Sequence, residues 1–225
     1  MEDNKVVRYY DSIADEYDES RFNNSYGQFI DAEERHILDQ LIDVSDSAPR
    51  LDVACGTGRL TGYATHALDA SKEMMAHARR RHPDVHFCVA SAADTGYEAE
   101  KFATIYSFHL LMHLDAALIQ DIFDECHRIL KTGGQLIIDI PSSKRRRLLH
   151  HRQSSWHGGT ELDKEDILRM TAGKFVLRRR FGIMLLPIHK LPNFMRRALL
   201  RLDYALANSF LKPYSSYIVY ELVKL

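Results

Sequence analysis

Residues 51–58, LDVACGTG, are a short apolar run that carries one acid and ends in a glycine turn. The run predicts a buried strand, and the turn after it predicts a binding loop. Gly56 and Gly58 allow positive φ angles and let a ligand approach the main chain without meeting a Cβ. In a doubly wound sheet such a turn lies at the carboxyl end of the first strand, where these folds bind ligands. An ordinary strand-to-helix turn is the alternative.

An acid follows at the end of the next short apolar run. Asp69 ends the segment Ala67-Leu68, and Ser71 stands where it can cap a helix that has Glu73 in its first turn. An acid at the tip of a second strand can accept hydrogen bonds from both hydroxyls of a ribose. The pair of segments therefore predicts a nucleotide-type ligand.

Apolar runs and helical periodicities alternate along the chain, as in a parallel sheet with flanking helices. The prediction is an α/β, Rossmann-like, seven-stranded and mostly parallel sheet with an N-terminal helical cap and a helical insertion before the last strand. In the 116–130 helix, Asp115 is predicted to cap the start and Gly133 the end. The strands are predicted at 49–53, 67–69, 86–90, 104–108, 135–140, 174–180 and 217–223, and helices at 72–81, 116–130 and 193–208.

Four segments, in this order, resemble the class I S-adenosylmethionine-dependent methyltransferases: LDVACGTG at 51–58, LDAS at 68–71, VASAAD at 89–94 and RILKTGG at 128–134. The resemblance runs from about residue 6 to residue 141. It implies S-adenosylmethionine as cofactor and a methyltransferase activity. It also implies cofactor-binding roles for these residues: Asp52, Ala54, Cys55, Gly56, Thr57 and Gly58 at the methionine half, Asp69, Ala70 and Met74 at the ribose, and Ser91, Ala92 and Ala93 toward the adenine. Ser107, at the end of the fourth predicted strand, is a further predicted cofactor-binding residue.

The N-terminal segment 9–21 resembles the cap that many small-molecule methyltransferases of this family fold over the cofactor. Tyr17 and Arg21 are four residues apart and share a helical face. The resemblance implies that both close on the methionine carboxylate, which an arginine can bind with two hydrogen bonds. An exposed helix with incidental ion pairs is the alternative.

Two departures from the family pattern concern the cofactor. Gly58 and Asp69 stand too close in the chain for a full crossover helix, because the ribose acid normally follows the glycines by about 20 residues. Residues 59–63 are therefore predicted to form a single turn. Ser91 stands where the family often has an acid, and a hydroxyl accepts a hydrogen bond less strongly than a carboxylate does.

Other nucleotide-binding classes fit less well. The chain has no GKS or GKT, which disfavours a P-loop nucleotidase. The third glycine of the dinucleotide fingerprint is absent after Gly58, which disfavours a nicotinamide enzyme. No Asn/Asp-Pro-Pro-Tyr/Phe segment is found, which disfavours amino methyltransferases of that type.

Two histidines follow the fourth strand, where the methyl acceptor is expected. Methyl transfer from a sulfonium needs positioning, and it needs a base only if the acceptor must lose a proton. His113 is the first candidate for such a base and His109 the second, although either can be a hydrogen-bonded wall residue. Their HxxxH spacing, which is repeated at His82 and His86, is also compatible with a metal site. No third ligand is evident, so none is predicted.

Composition favours a cytosolic protein of one methyltransferase domain. The 225 residues contain 45% hydrophobic residues, and no signal-peptide profile or long apolar run. Cys55, Cys88 and Cys126 are widely spaced, which predicts reduced thiols. The domain is divided into a helical cap at 1–46, a cofactor-binding core at 47–141 and a C-terminal part at 142–225.

Charge is uneven within a net charge of −1. Residues 1–50 carry thirteen acids and five bases, whereas residues 144–201 carry fifteen bases and four acids, among them the runs 144–147 and 178–180 with His150 and His151 nearby. An anionic partner or a solvated face neutralised by the N-terminal segment explains this equally well. The absence of interleaved aromatic residues makes nucleic acid the less favoured partner.

A basic amphipathic helix is predicted at 193–208. It is interpreted as a lid packed on the sheet, with membrane contact as the less favoured alternative. The side predicted to be apolar consists of Phe194, Met195, Ala198, Leu199, Leu202, Ala205 and Leu206. Such a lid suits a small acceptor that is anionic, a sugar, a quinone or lipid-linked, methylated on oxygen, nitrogen or carbon. An RNA methyltransferase and a scaffold that has lost catalysis are the alternatives, and the oligomeric state is left open.

Overall fold

The computed structural model of the chain describes residues 2–149, 160 and 162–225, with side chains from residue 5 onward. Its strands form one seven-stranded sheet in the order β3-β2-β1-β4-β5-β7-β6, in which only β7 runs antiparallel to its neighbours. The predicted fold class is confirmed. The strands are β1 (Arg50–Val53), β2 (His66–Asp69), β3 (His86–Val89), β4 (Phe102–Ser107), β5 (Leu130–Pro141), β6 (Phe175–Ile183) and β7 (Tyr217–Lys224).

Helices cover both faces of the sheet and one of its edges. They are α1 (Glu2–Ile13), α2 (Tyr17–Arg21), α3 (Ser25–Leu41), α4 (Lys72–Arg81), α5 (Ala116–Ile129), α6 (Ser143–Leu148), α7 (Lys164–Met170) and α8 (Asn193–Ala207). Short 3₁₀ turns lie at Thr61–Tyr63, Leu111–His113, Ile188–Lys190 and Lys212–Tyr214. Ser71 and Asp115 cap α4 and α5 through their side chains, as predicted.

The predicted cap at the end of α5 is wrong. The helix ends at Ile129, and β5 begins at the next residue, Leu130. Gly133 has a φ of 75°, but it lies inside the strand segment and beyond the helix end. The glycine therefore lies in an irregular stretch of β5, where the pairing with β4 shifts register between Leu130 and Gln135, instead of capping α5.

The short first crossover is a single turn, as predicted, at Thr61–Tyr63. The sheet face left without a full helix is covered by α3, whose Ile37 and Leu38 are fully buried in the same core cluster as Leu60 and Tyr106. The Tyr106 hydroxyl donates to the Leu60 carbonyl at 2.9 Å. The opposite face is filled mainly by α5.

Helix α8 packs on α3 and β6 through a face other than the predicted one. Its buried side carries Asp203 and Ala207. The Asp203 carboxylate accepts hydrogen bonds from the backbone N–H groups of Leu185 and Leu186 at 3.0 and 2.6 Å. Of the residues predicted to pack inward, only Leu199 and Leu206 are half-buried and the others are exposed. The helix therefore packs on the protein through Asp203, whose carboxylate is satisfied by two backbone N–H groups, and not through its apolar side chains.

The basic segment is partly neutralised by internal contacts. The Arg145 side chain donates to the carbonyls of Leu185 and Tyr214 at 2.7 and 2.9 Å. Arg179 forms an ion pair at 2.5 Å with Glu221, which is fully buried. His150 and His151 lie outside the described residues.

No helix among the described residues has the length and apolar character needed to cross a bilayer. The three cysteines are free, with Cys55 and Cys126 buried and Cys88 half-buried.

Candidate functional site

The glycine turn after β1 is tied directly to the end of β2. Ala54, Gly56 and Gly58 have positive φ angles of 57°, 55° and 84°. The Gly56 N–H donates to Oδ2 of Asp69 at 2.8 Å, and the Cys55 N–H donates to the Leu68 carbonyl at 3.0 Å. The turn and the acid therefore form one unit in spite of the short crossover.

Asp69 is held by two backbone donors and retains capacity for a ligand. Its Oδ1 accepts from the Ser71 N–H at 2.8 Å. Burial raises the pKa of the Asp69 carboxyl, although hydrogen bonds from the N–H groups of Ser71 and Gly56 act in the opposite direction. Each carboxylate oxygen has two acceptor positions, so one remains on each oxygen for a hydroxyl group.

A cavity of about 810 Å³, here called the edge cavity, opens at the carboxyl ends of β1, β2 and β4. Its polar groups gather at Asp69, Ser71 and Ser91, and most of its remaining wall is apolar. An apolar lining with a few polar anchors is typical of a site for a small organic molecule. The wall consists of Val6, Val7, Tyr10, Tyr17, Ala54, Gly56, Leu68, Asp69, Ala70, Ser71, Met74, Ala90, Ser91, Ala92, Phe108, His109, Leu110, His113, Leu114, Leu118 and Ile122.

A second cavity, the turn cavity, lies on the other side of the glycine turn and is lined by Asp52, Cys55, Thr57 and Arg59, among others. The Arg59 guanidinium pairs with Asp31 at 2.6 Å and Glu34 at 2.5 Å. Asp52 accepts a hydrogen bond from the Thr61 hydroxyl at 2.7 Å, and burial raises the pKa of its carboxyl to about 7. The turn cavity therefore combines a buried cation, Arg59, with a carboxyl group of raised pKa, Asp52.

His109 is fixed between two buried carboxylates at the end of β4. It has a φ of 60°, and its N–H donates to Oδ1 of Asp139 at 2.6 Å. Its Nε2 lies 2.7 Å from Oε1 of Glu34, and its Nδ1 lies 3.5 Å from Oδ2 of Asp139. Burial lowers the pKa of His109, but the two carboxylates outweigh burial and the net pKa is raised. A protonated imidazole with both nitrogens facing carboxylates is a poor proton acceptor.

His113 has a different environment at the end of the 3₁₀ turn Leu111–His113. Its Nε2 lies 3.0 Å from the Tyr10 hydroxyl of α1. The ring lines the edge cavity and also a third cavity. Of the two histidines, His113 is therefore the one placed at the junction of two cavities with a neutral hydroxyl as neighbour.

The third cavity, called the aromatic cavity, is enclosed by α1, α2, the start of α3 and β7. It occupies about 740 Å³, and no carboxylate lines it. Four walls are shared with the edge cavity, namely Tyr10, Tyr17, His109 and His113. The remaining walls are Arg21, Phe22, Tyr26, Ile30, Met112 and Tyr217.

The N-terminal cap is fastened over these cavities by acids that reach α4 and the glycine turn. Asp11 accepts from the Ser71 hydroxyl at 2.6 Å, and Asp15 lies 3.0 Å from the His77 imidazole. Asp18 accepts from the Thr57 hydroxyl at 2.5 Å through one oxygen and from Arg81 through the other. Three acids of the N-terminal segment therefore hold the cap against α4 and the glycine turn.

Most predicted cofactor residues come together in the first two cavities, and Arg21 instead lines the aromatic cavity. Gly58, Ala93 and Ser107 line none of the three cavities. Gly58 faces α4, where an added Cβ would lie 3.0 Å from the Cα of Ala78. Ala93 packs on the core, and the Ser107 hydroxyl is buried without a hydrogen-bond partner among the described atoms.

Sequence reasoning missed several residues of the site. Tyr10, Phe22 and Arg59 line its cavities, and Glu34 and Asp139 hold His109. Only Asp139 could have been noticed in the sequence, because an acid inside the apolar run of a predicted buried strand needs a polar partner. The others lie on separate elements, and nothing local in the sequence brings them together.

The histidine pairs take partners other than a metal. His82 Nε2 lies 2.8 Å from the Gly58 carbonyl, and the His86 ring lies 5.0 Å from that of His66. Within the described part of the chain, no three His, Cys, Asp or Glu side chains are grouped as metal ligands.

Comparison with known sequences gives one family. The profile described as "Methyltransferase domain" matches residues 51–138. An uncharacterized methyltransferase from Synechocystis is 27% identical over 120 residues, which cover 50% of this chain and 52% of that protein. The match therefore spans about half the length of this relative.

Solved structures share the fold at low sequence identity. A Thermotoga maritima protein described as a possible histamine N-methyltransferase is 16% identical, with a TM-score of 0.70 over 97% of this chain and 99% of the other. Phosphoethanolamine N-methyltransferase 1 of Haemonchus contortus is 14% identical, with a TM-score of 0.67 over 100% of this chain and 49% of the other. Geranyl diphosphate C-methyltransferase of Streptomyces coelicolor, in complex with S-adenosyl-L-homocysteine, is 18% identical, with a TM-score of 0.59 over 86% and 79%.

Proposed function

The chain belongs to the class I S-adenosylmethionine-dependent methyltransferases, and we propose that it methylates a small molecule held in the aromatic cavity. One observation carries the proposal: Tyr10, Tyr17, His109 and His113 are walls of both the edge cavity and the aromatic cavity. A donor in the first cavity and an acceptor in the second would therefore meet at these four side chains.

The residues of the edge and turn cavities fit S-adenosylmethionine, the cofactor of this family. Asp69 presents acceptor positions for ribose hydroxyls, and Gly56 has no Cβ to obstruct an approach to the turn. Met74, Leu114 and the neighbouring apolar side chains offer a slot for a flat base. We assign the methionine end to the turn cavity, where Arg59 stands beside Tyr17. Arg21 is absent from that cavity and lines the aromatic cavity.

S-adenosylmethionine supplies an activated methyl group whose departure needs no proton from the protein. The chain's own task is then to align the acceptor, exclude water and, for a hydroxyl or ammonium acceptor, receive one proton. The α1–α2 cap excludes water, since its three acids fasten it to α4 and the glycine turn.

His113 is the proposed proton acceptor, and His109 is proposed to orient the acceptor. The His113 imidazole faces both cavities and has a neutral hydroxyl beside it at 3.0 Å. Both ring nitrogens of His109 face carboxylates, so its ring is proposed to orient the acceptor by packing at the wall that the two cavities share.

The lining of the aromatic cavity favours a neutral or anionic acceptor with a planar ring. Burial raises the pKa values of Tyr10, Tyr17, Tyr26 and Tyr217, so these phenols are neutral. Arg21 then adds a positive charge to a wall that no carboxylate lines, whereas any charge on His109 is balanced by the two carboxylates behind it. Aromatic walls pack well on a flat ring.

Two alternatives from the sequence are less well supported. An RNA acceptor needs a basic groove, whereas the aromatic cavity has one arginine, Arg21, among its walls, and Arg145 and Arg179 make contacts within the protein. The short crossover suggested a scaffold that binds no cofactor. The hydrogen bond from the Gly56 N–H to Asp69 argues against it, because it joins the glycine turn to the ribose acid although the crossover lacks a full helix.

A mass-spectrometric screen with S-adenosylmethionine tests the proposal. Phenols, aromatic carboxylates, aliphatic amines and a short RNA are incubated with the wild-type protein, with His113→Asn and with His127→Asn as the matched control. Transfer of one methyl group to a phenol is expected, strongly slowed only in His113→Asn because the phenol must lose a proton. An aromatic carboxylate, which has no proton to lose, should be methylated by all three proteins. Methylation of the RNA alone would contradict the proposal.

A further inference from the structure

Helix α8 turns a continuous apolar and basic face to solvent. Phe194 is 82% exposed and Leu202 is 50% exposed, which is unusual for side chains of this size. At 100° per residue, the exposed residues cover one side of the helix, with apolar groups on one half and arginines on the other. This face, called the α8 face, consists of Phe194, Met195, Arg197, Ala198, Arg201, Leu202 and Ala205.

No acid lies on the α8 face. The helix contains one acidic residue, Asp203, and it is fully buried. Arg196 is turned inward, where its guanidinium donates to the Ser25 hydroxyl at 2.7 Å and to the Leu191 carbonyl. Arg197 and Arg201 have no ion-pair partner among the described residues, so their charges are available to an outside group.

The surface continues beyond the helix. Phe210, three residues after α8 ends, is 88% exposed. Tyr214, in the next 3₁₀ turn, is also exposed, and its carbonyl accepts from Arg145 of α6 at 2.9 Å. Leu148 and Leu149 at the end of α6 are each 63% exposed. Further exposed apolar side chains therefore lie in the segment after α8 and at the end of α6, and the contact between Tyr214 and Arg145 links these two segments.

We infer that the α8 face, together with Phe210, docks on an anionic lipid surface. A helix that lies in a membrane interface has apolar side chains on one flank and lysines or arginines beside them. Unpaired arginines without nearby acids complement the negative headgroups of such a surface. Packing on the protein's own sheet does not explain the stripe, because α8 is already anchored through its opposite face.

Lipid is favoured over nucleic acid by the aliphatic part of the surface. Leu202, Met195, Leu148 and Leu149 can enter an acyl layer but offer nothing to phosphates or bases. Nucleic-acid surfaces alternate basic groups with stacking aromatic rings, whereas here Phe194 and Phe210 protrude at opposite ends of the helix.

The docked helix would lie beside the aromatic cavity. The Ser25 hydroxyl donates to Oδ1 of Asn193 at 3.1 Å, and the next residue, Tyr26, lines that cavity. The cavity would then lie on the protein side of the docked helix, near the membrane surface, which suits an acceptor drawn from the membrane. This link to the acceptor rests on the proposed function, whereas docking itself does not.

Vesicle co-sedimentation tests docking without cofactor or acceptor. The full chain is mixed with phosphatidylcholine vesicles that contain or lack phosphatidylglycerol. The variants are Phe194→Ser/Phe210→Ser and Arg197→Gln/Arg201→Gln. The matched controls are Val44→Ser and Arg79→Gln, which are exposed on other surfaces. Circular dichroism and calorimetric titration with S-adenosylhomocysteine on the same samples report folding and the cofactor site separately.

Wild-type protein should sediment with phosphatidylglycerol vesicles and less with phosphatidylcholine alone. The arginine pair should weaken partitioning about tenfold or more, since each cation near an anionic surface contributes about 1 kcal/mol. The phenylalanine pair should weaken it similarly, and the controls should not. Docking is overturned if wild-type protein stays in the supernatant, if the variants bind equally well, or if the face binds only RNA or a second copy of the chain.

Discussion

Nε2 of His109 lies 2.7 Å from Oε1 of Glu34, a carboxylate that has no exposed side-chain surface. The other Glu34 oxygen lies 2.5 Å from the Arg59 guanidinium at the turn cavity. Helix α3 therefore supplies one acid that balances two cations, one beside the glycine turn and one at the wall shared by the edge and aromatic cavities.

Removing that acid should destabilise the protein. Glu34→Gln removes the acid that Arg59 and His109 share. Because Asp31 and Asp139 still lie beside these two groups, the cost should fall below about 3–5 kcal/mol, the cost of a buried charge left without any partner. Urea unfolding measures the loss. Glu19→Gln, on an exposed position of the cap, should change the free energy of unfolding by less than about 0.5 kcal/mol. Equal stability of the two variants would show that Glu34 is not the balancing charge.

The same contact gives stability a dependence on pH at both ends. The Arg59 and His109 cations overcome burial and lower the pKa of Glu34 to about 2, so its contribution is present above its ordinary pKa of 4.5 and is lost as pH falls toward 2. The pKa of His109 is raised, so its contribution is complete below 6.5 and is lost as pH rises through the folded value.

His109→Asn tests the upper end of this pH range. The difference in free energy of unfolding between wild type and variant should be largest below pH 6.5 and should shrink as the pH rises above that value. Urea titrations at each pH measure it. A difference that is constant with pH would mean that the folded imidazole is neutral throughout.

Loss of His113 should slow methyl transfer to a hydroxyl acceptor by about 10²–10⁴-fold, the usual contribution of a general base. His113→Asn should depress the rate most at neutral pH and flatten the pH–rate profile, while binding of S-adenosylhomocysteine is retained. Tyr10→Phe, which keeps the ring but removes the hydroxyl 3.0 Å away, should have a smaller effect. If the pH–rate profile of His113→Asn kept the shape of the wild-type profile, the proton of the acceptor would be taken up by solvent and not by His113.

Gly58 should tolerate no side chain. A Cβ there would meet the Ala78 backbone at 3.0 Å, and the φ of 84° is unfavourable for alanine. We expect Gly58→Ala to lose about 1–3 kcal/mol in thermal or urea unfolding. Gly62→Ala in the neighbouring turn, with its nearest contact at 3.7 Å, should be close to neutral. Similar stability of both variants would remove the packing role assigned to Gly58.

Sequence reasoning succeeded where one local pattern determines structure. The strand and glycine turn at 51–58, the capped helix from Ser71 and the single turn at 59–63 follow from residue order and spacing, and the structure confirms them. The order of alternating elements likewise predicted the sheet, because parallel strands require crossover segments.

It failed where a polar group is satisfied by distant backbone. Helix α8 was predicted to pack through its apolar stripe, but Asp203 is buried because the N–H groups of Leu185 and Leu186 require acceptors. The cluster of Glu34, His109 and Asp139 joins three separate elements, and spacing along the chain carries no information about such contacts.

The most direct test of the account is calorimetric titration with S-adenosylmethionine and S-adenosylhomocysteine. Wild type, Asp69→Ala, Asp69→Asn and the exposed control Asp84→Ala are compared, with thermal unfolding of each to confirm folding. We expect wild type and Asp84→Ala to bind both compounds. Asp69→Asn should bind them about tenfold or more weakly, and Asp69→Ala should lose still more affinity. Folded wild-type protein that binds neither compound, or Asp69 variants that bind as wild type does, would contradict a cofactor site built on the glycine turn and Asp69.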